Sequence, residues 1–274
     1  VGWGHHQEAV ENGMSSPLHV FGAWGQIERR IRRSPRLAFF TDFDGTLVRI
    51  QRNPRNVRLS PRIRRLVAGL KDAGVTVGIA SGRAIDDVRV RAGLGGIWYV
   101  GAHGFFLRDP ENRKFSLLSS REQAKMKDVI HALAFQLRGL VGIELEPKDA
   151  SVAVHYRGAS KRTRELAWEK ISRLMKGSQL HLLAGKRVWE ILPNSKVNKW
   201  TGIQFALKRA ARGGGARRPL LIFVGDDATD ERVFERINGI GVVVGRRRKT
   251  AAGFYLRSPA EVGRFLEKVA DCIR

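Results

Sequence analysis

Short unbroken apolar runs alternate with segments of helical periodicity along most of this chain. "RLAFF" at 36–40 is such a run, and it stops at the acidic stretch "TDFDGTL" at 41–47. Ser60-Pro61 then marks a helix start, with serine as the cap and proline in the first turn. Ile63, Leu66, Val67 and Leu70 fall on one face of that helix, and Gly74 stops it. "VTVGIA" at 75–80 predicts a second buried strand that runs into "SGR" at 81–83. A helical stretch from Ala84 leads to a third strand in "IWYVGAHG" at 97–104. Strands alternating with helices predict a parallel sheet covered on both faces.

The middle of the chain departs from that pattern. Residues near 121–138 and near 160–175 read as helices, each followed by two alternating strands: "GIELEP" with "SVAVHYR", then "QLHLLA" with "RVWEIL". Helix–hairpin–helix–hairpin predicts an inserted α+β domain with a half-exposed sheet. The parallel pattern then resumes. "VNKWTGIQFALKRAA" is helical, "GGG" at 213–215 a loop, "PLLIFVGDD" a strand, "ATDERVFERI" a helix and "GIGVVVG" a last strand. The expected fold class is therefore α/β, a Rossmann-like parallel-sheet core at 36–108 and 190–274 with an α+β cap inserted at 109–189. Residues 1–35 are left without a role; "FGAWGQIERRIRR" reads as a short amphipathic helix or as a solvated arm.

Composition narrows the class. Of 274 residues, 50 are Lys or Arg and 26 are Asp or Glu, a formal net charge of +24. The basic residues are scattered, which favours a general bias that helps steer anions over a nucleic-acid stripe. The single cysteine, Cys272, excludes a disulfide framework or a thiolate zinc site and suits a cytoplasmic protein. No apolar stretch of membrane-spanning length occurs, and "VGWGHHQEAV" lacks the features of a secretory signal.

In so basic a chain, clustered acids invite a chemical explanation. Each polar motif follows the carboxyl end of an expected strand, the edge where open α/β sheets bind ligands. Asp42 and Asp44 flank Phe43 just before Gly45, which permits a turn that aims both at one ligand. One such acid can attack phosphorus while the other moves a proton. "GDDATDE" places Asp226, Asp227, Asp230 and Glu231 within six residues. Helix capping explains one or two of these four, and a hard cation such as Mg²⁺ would relieve the repulsion of the set. Ser81 and the amides around Gly82 suit a phosphate oxygen, or else a helix cap. Lys199 is a candidate to neutralise phosphate charge, with Lys196 as its alternative. His103 alone reads as structural.

Together these residues resemble the haloacid dehalogenase superfamily of phosphotransferases: "DFDGT", Ser81, Lys199 and "GDD" occur in the order of its four motifs, over roughly 36–250. The resemblance implies Asp42 as nucleophile and Asp44 as general acid/base. It implies Mg²⁺ held by Asp42, the backbone carbonyl of Asp44, Asp226, and Asp227 through water, with Asp230 in support. "GAHG", "SVAVHYR", "RVWEILP", "VNK" and "GDDATDE" further resemble the trehalose-6-phosphate phosphatases. That group implies a small-molecule sugar phosphate as substrate and, besides His103, Lys148, His155, Arg157, Arg187 and Glu190 as sugar-binding residues. It also implies association with, or fusion to, a trehalose-6-phosphate synthase. Phe106 and Trp200 depart from the group, which has an acid and a glycine there. Two rivals follow: the same chemistry on another sugar phosphate, of the sucrose 6-phosphate or mannosyl-glycerate phosphate type, and a non-catalytic basic nucleic-acid-binding protein.

Overall fold

The computed structural model describes residues 16–51, 57–148, 150–185, 187–193, 196–211, 218–245 and 249–273. The expected loop at 213–215 and the first 15 residues lie outside them. Strand β1 (Leu18–His19) and helix α1 (Trp24–Arg32) open the chain. The α1 segment is a helix because Ile27 and Ile31, four apart, both bury while Arg29, Arg30 and Arg32 stay outside. Strand β2 (Leu37–Thr41) is buried along its whole length. Helix α2 (Pro61–Asp72) starts where Ser60 Oγ accepts from the Ile63 amide at 3.4 Å, and it buries Ile63, Val67 and Leu70. β3 (Thr76–Ala80), α3 (Ile85–Ala92) and β4 (Trp98–Gly101) follow as expected. Two short strands, β5 (Phe106–Arg108) and β6 (Lys114–Ser116), then fold back antiparallel at the sheet edge.

The insertion comprises α4 (Ser120–Gln136), β7 (Glu144–Pro147), β8 (Val152–His155), α5 (Lys161–Met175), β9 (Leu180–Gly185) and β10 (Val188–Pro193). Its four strands form a separate antiparallel sheet, ordered β7-β8-β10-β9. Period-two alternation sorts the two faces. Val152, Val154, Trp189 and Ile191 pack against Met126, Leu133, Ala167 and Ile171 of α4 and α5. The other face carries Glu146, His155 and Glu190, and it meets the core through Leu192 and Ala150 against Ala102, Phe105 and Leu118.

The chain returns to the core through α6 (Lys199–Ala211), β11 (Leu220–Gly225), α7 (Glu231–Phe234), β12 (Gly239–Val244), β13 (Phe254–Leu256) and α8 (Pro259–Ile273). The core sheet has the order β1-β13-β12-β11-β2-β3-β4-β5-β6 and is parallel from β1 to β4. One face packs on α1, α2, α3 and α8, the other on α6 and α7. Strand β2 lies centrally, with β3 on one side and β11, which follows the insertion, on the other. The strand order therefore reverses beside β2, which opens a crevice at its carboxyl end.

Three expectations need correction, and one open alternative is decided. The strand at 239–245 is not the last, because β13 extends the sheet and α8 covers it. The stretch 109–189 assigned to the cap is shifted at both ends: β6 still pairs with the core sheet, and β10 keeps its partners in the second sheet to Pro193. Of the two readings left open for "FGAWGQIERRIRR", the helix is the one seen, as α1; β1 pairs with β13 and Trp24 packs edge-on to Phe265. The helix expected over 228–237 shrinks to α7, because the residues before it are held in a tight turn by Asp230.

Candidate active site

The crevice gathers every acidic motif that the sequence marks. At the end of β2 the Asp42 amide donates to Val224 O of β11 at 2.8 Å, so Asp42 stays in the ladder and is nearly fully buried. The chain turns at Gly45, whose φ is +80°, and a Cβ there would come within 2.1 Å of Asp226 Oδ2. Only glycine lets the first acidic loop close onto the second. Thr46 Oγ1 completes the contact by donating to Asp226 Oδ1 at 3.3 Å.

Lys199 comes from the first turn of α6. Its approach depends on Gly104, in the left-handed region at φ +109°, where a Cβ would strike Asn198 O at 2.2 Å. The Lys199 ammonium is 2% exposed and donates to Asp42 Oδ1 and to Asp230 Oδ1, each at 2.7 Å, with Asp227 Oδ1 at 3.9 Å. Lys196 is exposed, whereas Lys199 reaches the acidic residues. Burial alone would lower the Lys199 pKa, but Asp230 and then Asp42 outweigh it and hold the ammonium well above its ordinary value. Asp230 Oδ2 in turn accepts from the amides of Asp226 and Asp227, at 2.9 and 3.0 Å. Asp230 is thus a brace, binding the lysine on one side and the acidic loop on the other.

Asp227 Oδ1 accepts from Thr229 and from the Asp230 amide, so it shapes the turn. Asp226 is different. Burial first, then the charges of Asp230 and Asp227, push its carboxyl up to about 7. Ligand oxygens of Asp42, Asp226 and Asp230 lie within 4.8 Å of one another. With Asp230 committed to Lys199 and two amides, Asp42 and Asp226 supply oxygens for a hard divalent cation, and the raised Asp226 value reflects uncompensated negative charge that such an ion would offset. The residues present fit a divalent metal.

Ser81 is buried, and its Oγ accepts from the Arg83 amide at 3.2 Å, so it shapes a turn ahead of α3 and does not cap that helix. The His103 ring lies over Gly82 and stands 3.3 Å from Glu190 Oε2 of the cap. Glu190 also accepts from Lys148 Nζ at 2.8 Å and Ser151 Oγ at 2.7 Å. Burial works to raise its pKa; His103 and Lys148 prevail and hold it at about 2. His155 bonds Glu146 at 2.8 Å on the same cap face. Arg187, at φ +63°, reaches Arg157 O at 3.5 Å on the cap rim. His103, Lys148 and Glu190 are thus brought together, whereas His155, Arg157 and Arg187 make their own contacts along the cap.

Sequence reasoning passed over Thr46, Glu146, Ser151 and Arg83. Glu146 was findable, because alternation in β7 and its pairing with Ala153 put it on the Glu190 face. Arg83 stood beside Ser81 and Gly82 among many other arginines. Its guanidinium grips the Asp44 carboxylate with two bonds, Nε to Oδ2 at 2.5 Å and Nη2 to Oδ1 at 2.8 Å.

A nucleophile-capable aspartate braced by a buried lysine, with an acidic loop at the switch point of a parallel sheet and an inserted cap above, defines a phosphotransferase of the haloacid dehalogenase type. The sequence profile of the family described as Trehalose-phosphatase matches residues 40–258. The chain belongs to the trehalose-phosphatase family. It is 34% identical over 272 residues to a trehalose-phosphate phosphatase of Mycobacterium tuberculosis, covering 95% of this chain and 68% of that one. It is 30% identical over 254 residues to a probable trehalose-phosphate phosphatase D of Arabidopsis thaliana, covering 87% and 68%. The trehalose-6-phosphate phosphatase C-terminal domain of C. albicans superposes with a TM-score of 0.73 at 22% identity, over 94% of this chain and 98% of that one.

Proposed function

We propose that this protein hydrolyses trehalose 6-phosphate to trehalose and phosphate through a phosphorylated Asp42. The observation that carries the proposal is Lys199, buried and bonded at 2.7 Å to both Asp42 and Asp230, at the carboxyl edge beside β2. In the first step Asp42 attacks phosphorus, the phosphorus–oxygen bond to the sugar breaks, and Asp44 gives its proton to the departing oxygen. In the second step Asp44 takes a proton from water as that water attacks phosphorus, which frees phosphate and restores Asp42. The Lys199 charge offsets negative charge on the transferring group throughout. Ser81 and Gly82 hold a phosphate oxygen.

A divalent cation, Mg²⁺ in this reading, would be held by Asp42, the Asp44 carbonyl and Asp226, with Asp227 acting through water; when bound it neutralises charge on the phosphoryl oxygens. In the cap, Glu190 and Lys148 exchange their mutual bond for sugar hydroxyls, helped by His103, His155, Arg157 and Arg187. No helix among the described residues is long and apolar enough to cross a membrane; a cytoplasmic location fits the lone cysteine, which is free. A synthase that makes the phosphorylated disaccharide is the partner class proposed.

Phosphate release tests the reading. Trehalose 6-phosphate with Mg²⁺ should release phosphate, and chelator, glucose 6-phosphate and sucrose 6-phosphate should each lower the yield sharply. Asp42→Asn should fold and be inactive. Substantial turnover by a well-folded Asp42→Asn protein, or preference for another ester, overturns the nucleophile or the sugar assignment respectively.

A further inference from the structure

We propose that Arg83 is a positioning residue for the reaction: it fixes the orientation of the Asp44 carboxylate, and Asp87 holds Arg83 in place to do so. The inference rests on the reading of Asp44 as the group that moves the proton.

The geometry is specific. Arg83 Nε and Nη2 meet the two Asp44 oxygens in parallel, which fixes both the position and the plane of the carboxylate. The third nitrogen, Nη1, donates to Asp87 Oδ2 at 2.9 Å. Asp87 is clamped in turn by Arg91, whose Nε lies 2.8 Å from both of its oxygens and whose Nη1 reaches Val57 O at 3.2 Å. The guanidinium lies 5.9 Å from the Phe43 ring centroid, and its side chain is only 15% exposed. Asp87 and Arg91 sit on successive turns of α3, so a rigid helix backs the whole row. The main chain ties the row to its surroundings: the Arg83 amide donates to Ser81 Oγ, and its carbonyl accepts from Ala102 N at 2.7 Å. The aspartate on the other side of Phe43 is held by a different cation, Lys199. The two acids are therefore oriented independently, and Asp44 keeps its plane while the Asp42 bond to phosphorus forms and breaks.

Asp44 acts in both half-reactions, so misplacing it slows both. Arg83→Ala should lower kcat by about 10²-fold, the scale expected when a general acid/base is present but misaligned. KM should stay within about threefold, because Arg83 does not touch the sugar in this reading. Arg83→Lys keeps the charge but loses the fork, and it should recover only part of kcat. Asp87→Asn should lower kcat by a smaller factor than Arg83→Ala. A merely structural loss would show in the melting curve and in KM as well as kcat, whereas loss of the fork alone leaves a folded site with a guanidinium-sized gap beside Asp44. Guanidinium ion at millimolar concentration should therefore restore at least about tenfold of the Arg83→Ala loss, and should not restore Arg83→Lys.

Asp44→Asn and the Asp44→Asn/Arg83→Ala pair are measured alongside, with melting curves for all. Asp44→Asn should be nearly inactive, and adding Arg83→Ala should cost nothing further. An active Asp44→Asn protein defeats the underlying site reading. An inactive Asp44→Asn beside an Arg83→Ala protein that keeps more than half of kcat defeats the positioning role alone. So does a loss in Arg83→Ala that guanidinium leaves unchanged while Arg83→Lys is fully active.

Discussion

At the residue scale, the site is a balance of buried charge centred on Lys199. Removing the lysine strands two buried carboxylates, Asp42 and Asp230. Breaking a buried ion pair from one side typically costs about 3–5 kcal/mol. Lys199→Ala should therefore lose stability on that scale as well as activity; a loss under about 1 kcal/mol in urea unfolding would show that the pair is not holding the loop. Asp226 predicts the opposite sign. Its folded pKa is raised to about 7, so between its unfolded value and about 7 the folded chain binds more protons than the unfolded chain does. Stability from this group is greatest in acid and declines as pH rises through that window. Without metal at pH 8, Asp226→Asn should unfold later than the wild type by about 1–3 kcal/mol, with a smaller difference near pH 5. With Mg²⁺ the order should reverse, and activity should be lost. Unfolding curves at the two pH values, with chelator and with Mg²⁺, check both signs.

At the element scale, the strands that carry the acids were legible, because buried parallel strands are continuous apolar runs with a polar motif at one end. β2, β3, β4 and β11 were located this way, and the position of the acids followed from theirs. The order of α4, the β7–β8 pair, α5 and the β9–β10 pair was legible from the change of period. The short edge strands β5 and β6 were not: at three residues each they are too brief for alternation to register, and only the pairing of β5 with β4 and of β6 with β5 defines them. Nor do the contacts within the site announce themselves. Nothing in the sequence ties Arg83 to Asp44, 39 residues away, or Glu190 to His103. Helix α8 is an instructive omission, since Val262, Phe265, Leu266 and Val269 have helical spacing and all bury. Phe265 packs against Trp24 of α1 and Phe39 of β2, which links the chain's two ends to the central strand. Phe265→Ala should cost about 3–5 kcal/mol by leaving a cavity. It lies on the face away from α6 and Lys199, so kcat and KM of the surviving folded enzyme should stay unchanged. A large change in KM at a temperature where the variant is fully folded would show that this face communicates with the site.

At the scale of the whole molecule, a net charge of +24 surrounds a crevice that is itself acidic. The two features serve different ranges. Inside the crevice Lys199 and the clustered carboxylates interact over a few ångströms, where salt hardly reaches. Outside, scattered basic residues create a positive field that raises the local concentration of a phosphate ester before contact. Exposed charges are screened over about 8 Å at physiological ionic strength, so only the outer contribution should respond to added salt. Raising NaCl from about 20 to about 500 mM, with Mg²⁺ saturating, should lower kcat/KM for trehalose 6-phosphate by about three- to tenfold, mostly through KM. The kcat should change little, because Lys199 and Asp42 are buried. Sulfate or phosphate at equal ionic strength would confuse screening with competition, so a chloride series is the clean measurement. A flat kcat/KM across that series would mean that the basic surface plays no part in substrate capture. A fall in kcat equal to the fall in kcat/KM would place the salt-sensitive charges inside the site, against the burial of Lys199 and Asp42.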